Sequence, residues 1–171
     1  MSAKKLNVVV AGATGFVGLD LIKFLSKHPK VKIKYLCAQK NIGKKIQYFD
    51  KRITKFLPKI SKLQSVDWSM IDILFTALPN GKSQIISKTL VNKKLKIIDL
   101  SADFRLSDSS VYKKFYGREH AAKKLINNSI YALSEFTKNK LKKFKIIACP
   151  GCYPTSIQLP LIPLLKKNLI N

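Results

Sequence analysis

Two clusters of residues in this sequence have types and spacings that suit chemistry, and the first is rich in glycine. The segment GATGFVG, residues 12–18, places Gly12, Gly15 and Gly18 between an apolar run and a segment with helical spacing. Glycine permits a tight turn and lets backbone N–H groups approach a phosphate, and the N-terminus of a following helix favours the negative charge. The spacing is a variant of the dinucleotide-binding fingerprint. The cluster therefore predicts a pyrophosphate site, with a tight structural turn as the alternative.

The second cluster is built around cysteine. Residues 148–156 have the sequence ACPGCYPTS, in which Cys152 follows a predicted strand and a Pro-Gly break and precedes a predicted helix. A thiol at a helix N-terminus has a raised thiolate fraction, which suits a nucleophile. Cys149 is instead placed as a buried residue at the end of the strand. Cys152 is therefore the candidate nucleophile.

A C-x-x-C redox or metal pair is the alternative for these two cysteines. A zinc site needs about four ligands, and the other candidates, Cys37, His28 and His120, have no paired spacing. A redox pair of the thioredoxin type is expected after the first strand of its domain. We therefore predict no metal site.

Short apolar runs that alternate with amphipathic segments must position these clusters. The pattern predicts strands over 6–11, 31–37, 72–78, 96–100 and 145–148 and helices over 16–27 and 82–92. An apolar stretch after Thr155 fits a further helix, residues 40–64 show only a weak pattern, and residues 101–135 appear irregular. This alternation predicts an α/β fold, a Rossmann-like doubly wound and mostly parallel sheet with right-handed crossovers.

The distribution of charge separates the expected surface from the expected site. The chain has 33 Lys or Arg and 9 Asp or Glu, a formal net charge of +24, and only three of the basic residues are Arg. Nucleic-acid surfaces favour Arg, so we interpret the lysines as a solvated surface and predict no nucleic-acid partner; a basic nucleic-acid-binding module is the alternative. Lys is absent from 97–112 and 146–165, and we expect the chemistry there.

The sequence also gives expectations about the compartment. The first residues, MSAKKLNVVVAGATG, lack the features of a signal peptide. The uncharged stretch 146–165 contains four prolines, which argues against a bilayer helix and a membrane partner. Three cysteines make no disulfide framework, so we predict a reducing, cytoplasmic location.

The end of the second predicted strand indicates which dinucleotide binds. NAD sites usually place Asp or Glu there for the ribose hydroxyls. Here residues 37–40 are Cys-Ala-Gln-Lys, and Lys44 and Lys45 follow closely. Because no acid repels a 2′-phosphate and cations are available, we predict NADP.

Together these motifs make the sequence resemble the N-acetyl-γ-glutamyl-phosphate reductases, a family of the semialdehyde dehydrogenase superfamily that serves arginine biosynthesis. The resembling segments are GATGFVG (12–18), AQKNIGKK (38–45), ALPNGKS (77–83), IDLSADFRL (98–106), VYKKFYGREH (111–120), YALSEF (131–136) and PGCYPTSIQLPLIPLL (150–165). Related aspartate-semialdehyde dehydrogenases share the fold logic and a catalytic Cys, but not DLSADFR or GCYPT. The resemblance implies an NADP-dependent oxidoreductase that converts N-acetyl-γ-glutamyl phosphate, a small acyl phosphate, to its semialdehyde through a Cys152 thioester.

The resemblance also implies which residues hold the cofactor. The pyrophosphate would be held by Gly12, Thr14, Gly15, Phe16, Val17 and Gly18. Gln39 and Lys40 would lie near the adenosine ribose, and Leu78 and Pro79 would end a strand that faces the dinucleotide.

The substrate side of the site is implied in less detail. Ser101 and Arg105 are candidate contacts for substrate or phosphate; a structural ion pair with Asp99 or Asp103 is the alternative for Arg105. We take His120 as structural, because the general acid of the family belongs to a second domain.

Three features depart from the family pattern. Cys149 stands where the family usually has Asn, Pro160 is expected to kink a helix that is usually uninterrupted, and members are roughly twice this length. We therefore predict an NADP-binding domain over 1–151 and, over 152–171, only the start of a second α+β catalytic domain. The chain is expected to be a fragment, inactive alone, of a homo-oligomer; a non-catalytic dinucleotide-binding remnant is the alternative.

Overall fold

A single parallel sheet organises the chain, and the computed structural model describes residues 4–170 of it. The strands are β1 (Leu6–Ala11), β2 (Val31–Cys37), β3 (Ile60–Ser61), β4 (Ile73–Thr76), β5 (Lys96–Asp99), β6 (Ser129–Tyr131) and β7 (Ile146–Ala148). Their order across the sheet is β3-β2-β1-β4-β5-β7-β6, and every pairing is parallel. The carboxyl ends of all the strands therefore meet at one edge, which we call the carboxyl edge.

Five α-helices connect or follow these strands. They are α1 (Phe16–Lys27), α2 (Lys82–Leu90), α3 (Ser109–Tyr116), α4 (Ser134–Thr137) and α5 (Cys152–Lys166). Short 3-10 turns lie at Ile46–Tyr48, Leu63–Ser65, Trp68–Met70, Lys123–Asn128 and Leu141–Lys143. No helix among residues 4–170 is both long enough and apolar enough to cross a membrane.

The core occupies both faces of the sheet, as a doubly wound fold requires. Val8 and Val10 of β1 pack with Ile22 of α1 on one face, whereas Val9 packs with Leu90 of α2 on the other. Successive residues of a strand point to opposite faces, so a strand covered on both sides is apolar throughout. This explains the run of three valines, Val8 to Val10, inside β1.

The strand order reverses at β1, which pairs with β2 on one side and β4 on the other. The two neighbours are reached by crossovers on opposite faces, and this leaves a crevice between the chain segments that follow β1 and β4. In open α/β sheets, ligands bind in such a crevice at the carboxyl edge. The fold therefore positions a site directly beyond Ala11.

The predicted fold class is confirmed, and so are β1, α1 and β2 to the residue. Two expectations about the later segments need correction. Segment 101–135 is not irregular, since it contains α3 and the edge strand β6, and the helix expected after Thr155 begins at Cys152. α5 is continuous through Pro160 and Pro163, each of which lacks the N–H that would donate to the preceding turn of the helix.

A candidate active site at the carboxyl edge of the sheet

The glycine loop follows β1 and is folded tightly against β4. Gly12 has a φ of +89°, and a Cβ at this position would lie 2.0 Å from the carbonyl oxygen of Ala77. A Cβ on Gly18 would lie 2.1 Å from the carbonyl oxygen of Gly12. Both positions require glycine because backbone passes where a side chain would be. Gly15 has a φ of −81°, and a Cβ there would lie 3.5 Å from the carbonyl oxygen of Gly12, an ordinary contact, so packing does not demand glycine at this position.

The glycine loop also leaves backbone donors without partners. The N–H groups of Gly12 and Ala13 donate to the carbonyl of Cys37, and that of Gly15 donates to Gly12. Among the described residues, the N–H groups of Thr14, Phe16, Val17 and Gly18 have no backbone or side-chain acceptor. The first N–H groups of a helix have no acceptor within it, and they carry the positive end of its dipole. This set of donors fits the pyrophosphate of a dinucleotide.

The other predicted cofactor positions border the same crevice. Gln39 and Lys40 are exposed just beyond β2, on the adenosine side expected of the fold. Leu78 and Pro79 lie beyond β4 in residues 77–81, which we call the cofactor turn. The N–H of Ala77 donates to the carbonyl of Ala11 at 2.8 Å, so this turn lies directly beside the glycine loop. The end of β2 and the cofactor turn thus flank the glycine loop, since Gly12 donates to Cys37 and Ala77 donates to Ala11. The contacts of these four residues with a cofactor stay a prediction.

A buried carboxyl group lies at the end of β5. Asp99 is fully buried, and its Oδ1 accepts from the Thr76 hydroxyl at 2.7 Å and from the N–H of Ser101 at 3.1 Å. Its Oδ2 has no hydrogen-bond partner among the described residues. Burial raises the pKa of this carboxyl, which favours its neutral form.

Ser101 and Arg105 lie on residues 100–105, which we call the bridging loop. Ser101 is buried, and its Oγ accepts from the N–H of Asp103 at 3.1 Å. The guanidinium of Arg105 donates from Nε to the carbonyl of Cys149 at 2.9 Å and from Nη2 to the carbonyl of Leu100 at 3.1 Å. The ion pair considered for Arg105 is wrong, because carbonyl groups take its donors and no carboxylate lies within 4.0 Å among the described residues.

The candidate nucleophile follows β7 in residues 149–152, which we call the nucleophile turn. Cys152 is exposed and is the first residue of α5, with Gly151 at the N-cap. The Nη1 atom of Arg105 would lie 2.9 Å from a Cβ built on Gly151, so the guanidinium packs on the backbone of this turn. Arg105 therefore contacts Cys149 and Gly151, the latter directly before Cys152, although 47 positions separate Arg105 from Cys152 in sequence.

The three cysteines differ in their surroundings. Burial raises the pKa of Cys149 to about 11, and the nearby Asp99 carboxylate adds to the effect. Burial also raises the pKa of Cys37 to about 11. Both therefore remain thiols at neutral pH, whereas Cys152 faces solvent. Within the described part of the chain, no three His, Cys, Asp or Glu residues are grouped as a metal site would need.

Sequence reasoning missed the polar cluster that surrounds Asp103. Its Oδ1 accepts from the N–H of Gly81 at 2.6 Å and from Gln84 Nε2 at 3.1 Å, and its Oδ2 accepts from the N–H of Gln84 at 3.1 Å. The Tyr112 hydroxyl lies 3.1 Å from the same Oδ1. One signal was available, since Asp103 lies in the lysine-free block where acids concentrate.

His120 is part of the same cluster and has both ring nitrogens occupied. Its Nδ1 accepts from the N–H of Ala122 at 3.1 Å, so its Nε2–H donates to the carbonyl of Asp103 at 2.8 Å. Burial lowers the pKa of this imidazole. The expected structural role of His120 fits these contacts.

The fold and this arrangement of residues define a class of protein. Residues 7–144 match the family model described as semialdehyde dehydrogenase, NAD binding domain, and the chain belongs to that family. Its fold resembles aspartate semialdehyde dehydrogenase II from Vibrio cholerae, with a TM-score of 0.69 and 18% identity over 95% of this chain and 47% of that one. The enzyme from Candida albicans, solved with NADP, has a TM-score of 0.64, 21% identity, and coverage of 96% and 48%.

Curated relatives carry one particular name, N-acetyl-gamma-glutamyl-phosphate reductase. The protein of Ehrlichia ruminantium (strain Gardel) is 44% identical over 168 residues, which is 97% of this chain and 48% of the relative. That of Rhodospirillum rubrum is 41% identical over 174 residues, with 99% and 49% covered. A probable chloroplastic form from Oryza sativa subsp. japonica is 41% identical, with 99% and 41% covered. The chain thus spans about half the length of the curated relatives it matches.

Proposed function

We propose that this chain carries the NADP-binding site and the nucleophile of an N-acetyl-γ-glutamyl-phosphate reductase, an oxidoreductase of arginine biosynthesis. One observation carries the proposal: the glycine loop and Cys152 follow strands of the same parallel sheet and emerge at the same edge. β1 and β7 are three strand spacings apart, or roughly 14 Å. A dinucleotide held by its pyrophosphate at the glycine loop could therefore reach the region of Cys152 along this edge.

Residues on both sides of the glycine loop would hold the dinucleotide. Gln39 and Lys40, exposed beyond β2, would serve its adenosine half, and the residues that follow β4, β5 and β7 would serve its nicotinamide half. No Asp or Glu follows β2 to repel a 2′-phosphate, and lysines are nearby. These features support NADP over NAD.

The chemistry follows from the residues around the nucleophile turn. The Cys152 thiolate attacks the acyl carbon of the substrate, an S–C bond forms, and the C–O bond to phosphate breaks with its electron pair leaving on phosphate. When bound, the reduced nicotinamide supplies the hydride that turns the thioester into the semialdehyde. Cleavage of the S–C bond then returns the thiolate. Splitting the reaction in this way replaces one difficult displacement by two easier steps.

Two residues of the bridging loop serve the substrate in this proposal. Arg105 holds the nucleophile turn through the Cys149 carbonyl, and within residues 4–170 its Nη1 has no carboxylate partner to neutralise it. A cation at this position favours an anionic acyl phosphate. Ser101, two residues from the end of β5, is retained as a candidate contact in the same loop.

The wider setting is part of the proposal. The second half of the relatives' length supplies the general acid, the remaining substrate contacts and the surfaces of a homo-oligomer. The boundary between the two units falls at 151–152, where β7 gives way to α5. We place the protein in the cytoplasm because its three cysteines are free thiols.

The reverse reaction gives the test. Reduction of NADP by N-acetylglutamate semialdehyde is measured with and without phosphate, for the chain alone and with a supplied second half of a curated relative. We expect phosphate-dependent turnover only with the second half, and none after Cys152→Ser. Turnover that survives Cys152→Ser contradicts the mechanism. Tight NADPH binding without turnover in any combination supports the non-catalytic remnant instead.

A further inference from the structure

The bridging loop contacts both halves of the proposed site with side chains that lie two positions apart. Asp103 faces the cofactor turn, where its carboxylate accepts from the N–H of Gly81. Arg105 faces the nucleophile turn, where its guanidinium donates to the carbonyl of Cys149. Among the described residues, no hydrogen bond joins the cofactor turn directly to the nucleophile turn. The bridging loop is therefore the hydrogen-bonded connection between the two turns.

The side chains that hold the cofactor turn are closely packed and shielded from solvent. Asp103, Gln84 and Tyr112 are each at most 1% exposed. No Lys, Arg or His nitrogen lies within 4.0 Å of the Asp103 carboxylate among the described residues, so its charge is balanced by hydrogen bonds and by the N-terminus of α2. A buried charge held in this way is costly to move, which makes it a rigid anchor.

Tyr112 also contacts a side chain of the cofactor turn, that of Asn80. Its hydroxyl lies 2.9 Å from Asn80 Oδ1 and accepts from Gln84 Nε2 at 2.6 Å. Arg118 adds a bond from Nη1 to the carbonyl of Asn80 at 3.3 Å. Three backbone or side-chain groups of residues 80–81 are thus fixed by residues that follow β5.

We propose that Asp103 and Tyr112 are positioning residues, which hold the cofactor turn in a fixed place relative to the nucleophile turn. Neither residue contacts the nucleophile or belongs to the glycine loop, so both act through other groups. Asp103 acts through the N–H groups of Gly81 and Gln84, and Tyr112 acts through Asn80. The inference rests on the proposed function, because it assumes that the nicotinamide half lies between these turns.

Conservative variants separate positioning from simple stability. Tyr112→Phe removes one hydroxyl. Tyr116→Phe is the matched control, since it makes the same change one turn later on α3, where the centroid of the Tyr116 ring lies 4.7 Å from that of Tyr112. Asp103→Asn places an amide donor against backbone donors, and Asp108→Asn makes the same change at the exposed cap of α3. Far-UV circular dichroism and urea unfolding confirm that each variant is folded. If Asp103→Asn does not fold, Tyr112→Phe carries the test.

The readouts are the Kd for NADPH, from fluorescence titration, and the rate at which iodoacetamide alkylates Cys152 in saturating NADPH. Loss of one hydrogen bond predicts a Kd raised roughly three- to tenfold in Tyr112→Phe, with a larger rise in Asp103→Asn. Saturating NADPH is expected to shield Cys152 less well in both variants than in the wild type. The two control variants should match the wild type.

The outcomes distinguish this inference from the function on which it rests. Wild-type Kd and wild-type shielding in a folded Tyr112→Phe chain overturn the positioning role. A raised Kd with unchanged shielding also overturns it, because the cofactor turn then has no effect at the nucleophile. Failure of the wild-type chain to bind NADPH, or to shield Cys152 when it does bind, overturns the proposed function itself.

Discussion

The two ends of the candidate site differ in how the rest of the chain supports them. The glycine loop is built into the core: Ala13 is fully buried, Gly18 and Ile22 of α1 are buried, and backbone passes within van der Waals distance of Gly12. α5, which begins at Cys152, has no buried residue, and its apolar Tyr153 and Ile157 are 80% and 55% exposed. The glycine loop is thus supported by the core within residues 4–170, whereas the candidate nucleophile lies on a helix that this part of the chain scarcely covers.

The largest effect expected from this difference concerns stability. Ile22→Ala empties a fully buried position of α1 and should lower the free energy of unfolding by about 2–5 kcal/mol. Ile157→Ala on α5 should change it by less than about 0.5 kcal/mol, because the side chain is already in solvent. Urea unfolding of both variants measures the comparison. Equal losses would mean that α5 packs far more closely in solution than its exposure implies.

A second comparison lies within the glycine loop itself. Gly12→Ala forces a Cβ onto the Ala77 carbonyl at a positive φ, and we expect a loss of about 1–3 kcal/mol in the free energy of unfolding. Gly15→Ala is the matched control, since its Cβ would meet no atom closer than 3.5 Å. Its loss should be clearly smaller. A Gly15→Ala variant as unstable as Gly12→Ala would refute the close approach between the glycine loop and β4.

A third comparison uses the cysteines as reporters of the two regions. Iodoacetamide at pH 7.5 should label Cys152 at least about tenfold faster than Cys149 or Cys37, because burial holds both of those as thiols with a pKa of about 11. Peptide mass spectrometry over a time course measures each rate, and labelling in 6 M urea provides the unfolded reference. Cys149 labelled as fast as Cys152 would show that the end of β7 is open.

The smallest effect concerns pH. His120 is neutral when buried and has a lowered pKa, so the unfolded chain binds more protons than the folded chain as pH falls below about 6.5. Stability should therefore decline from pH 7 to pH 5.5 by up to about 1 kcal/mol per pH unit. His120→Gln should remove that part of the decline. Urea unfolding of both chains at the two pH values is the measurement, and parallel declines would contradict a buried neutral imidazole.

The sequence was sufficient for the elements whose pattern is local. The valine run of β1 and the glycine spacing that follows it come from one strand-turn-helix unit, so periodicity and turn chemistry located them to the residue. α3 also had local signals that were available, an Asp108 cap at its start and Gly117 with a φ of +65° after its end. These two signals were overlooked because segment 101–135 as a whole shows no regular apolar pattern.

The sequence could not specify the partners of the polar side chains. The alternative considered for Arg105 was a carboxylate partner, and its Nε donates instead to a carbonyl 44 residues away, while its contact with substrate stays a prediction. Tyr112 meets Asn80 at a separation of 32 residues. Such contacts depend on which strands become neighbours in the sheet, and β5 and β7 are brought together only by the crossover through β6. The lysine-free segments indicated where the chemistry lies but not which atoms meet.

The most direct test asks whether the two ends of the site act on the same ligand. The rate at which iodoacetamide alkylates Cys152 is measured in the wild-type chain with increasing NADPH, while fluorescence reports how much NADPH is bound. A shared site predicts that labelling slows by at least about threefold, with the same midpoint as binding, because the nicotinamide half limits access to the thiol. Labelling that stays unchanged while NADPH is fully bound would contradict the account.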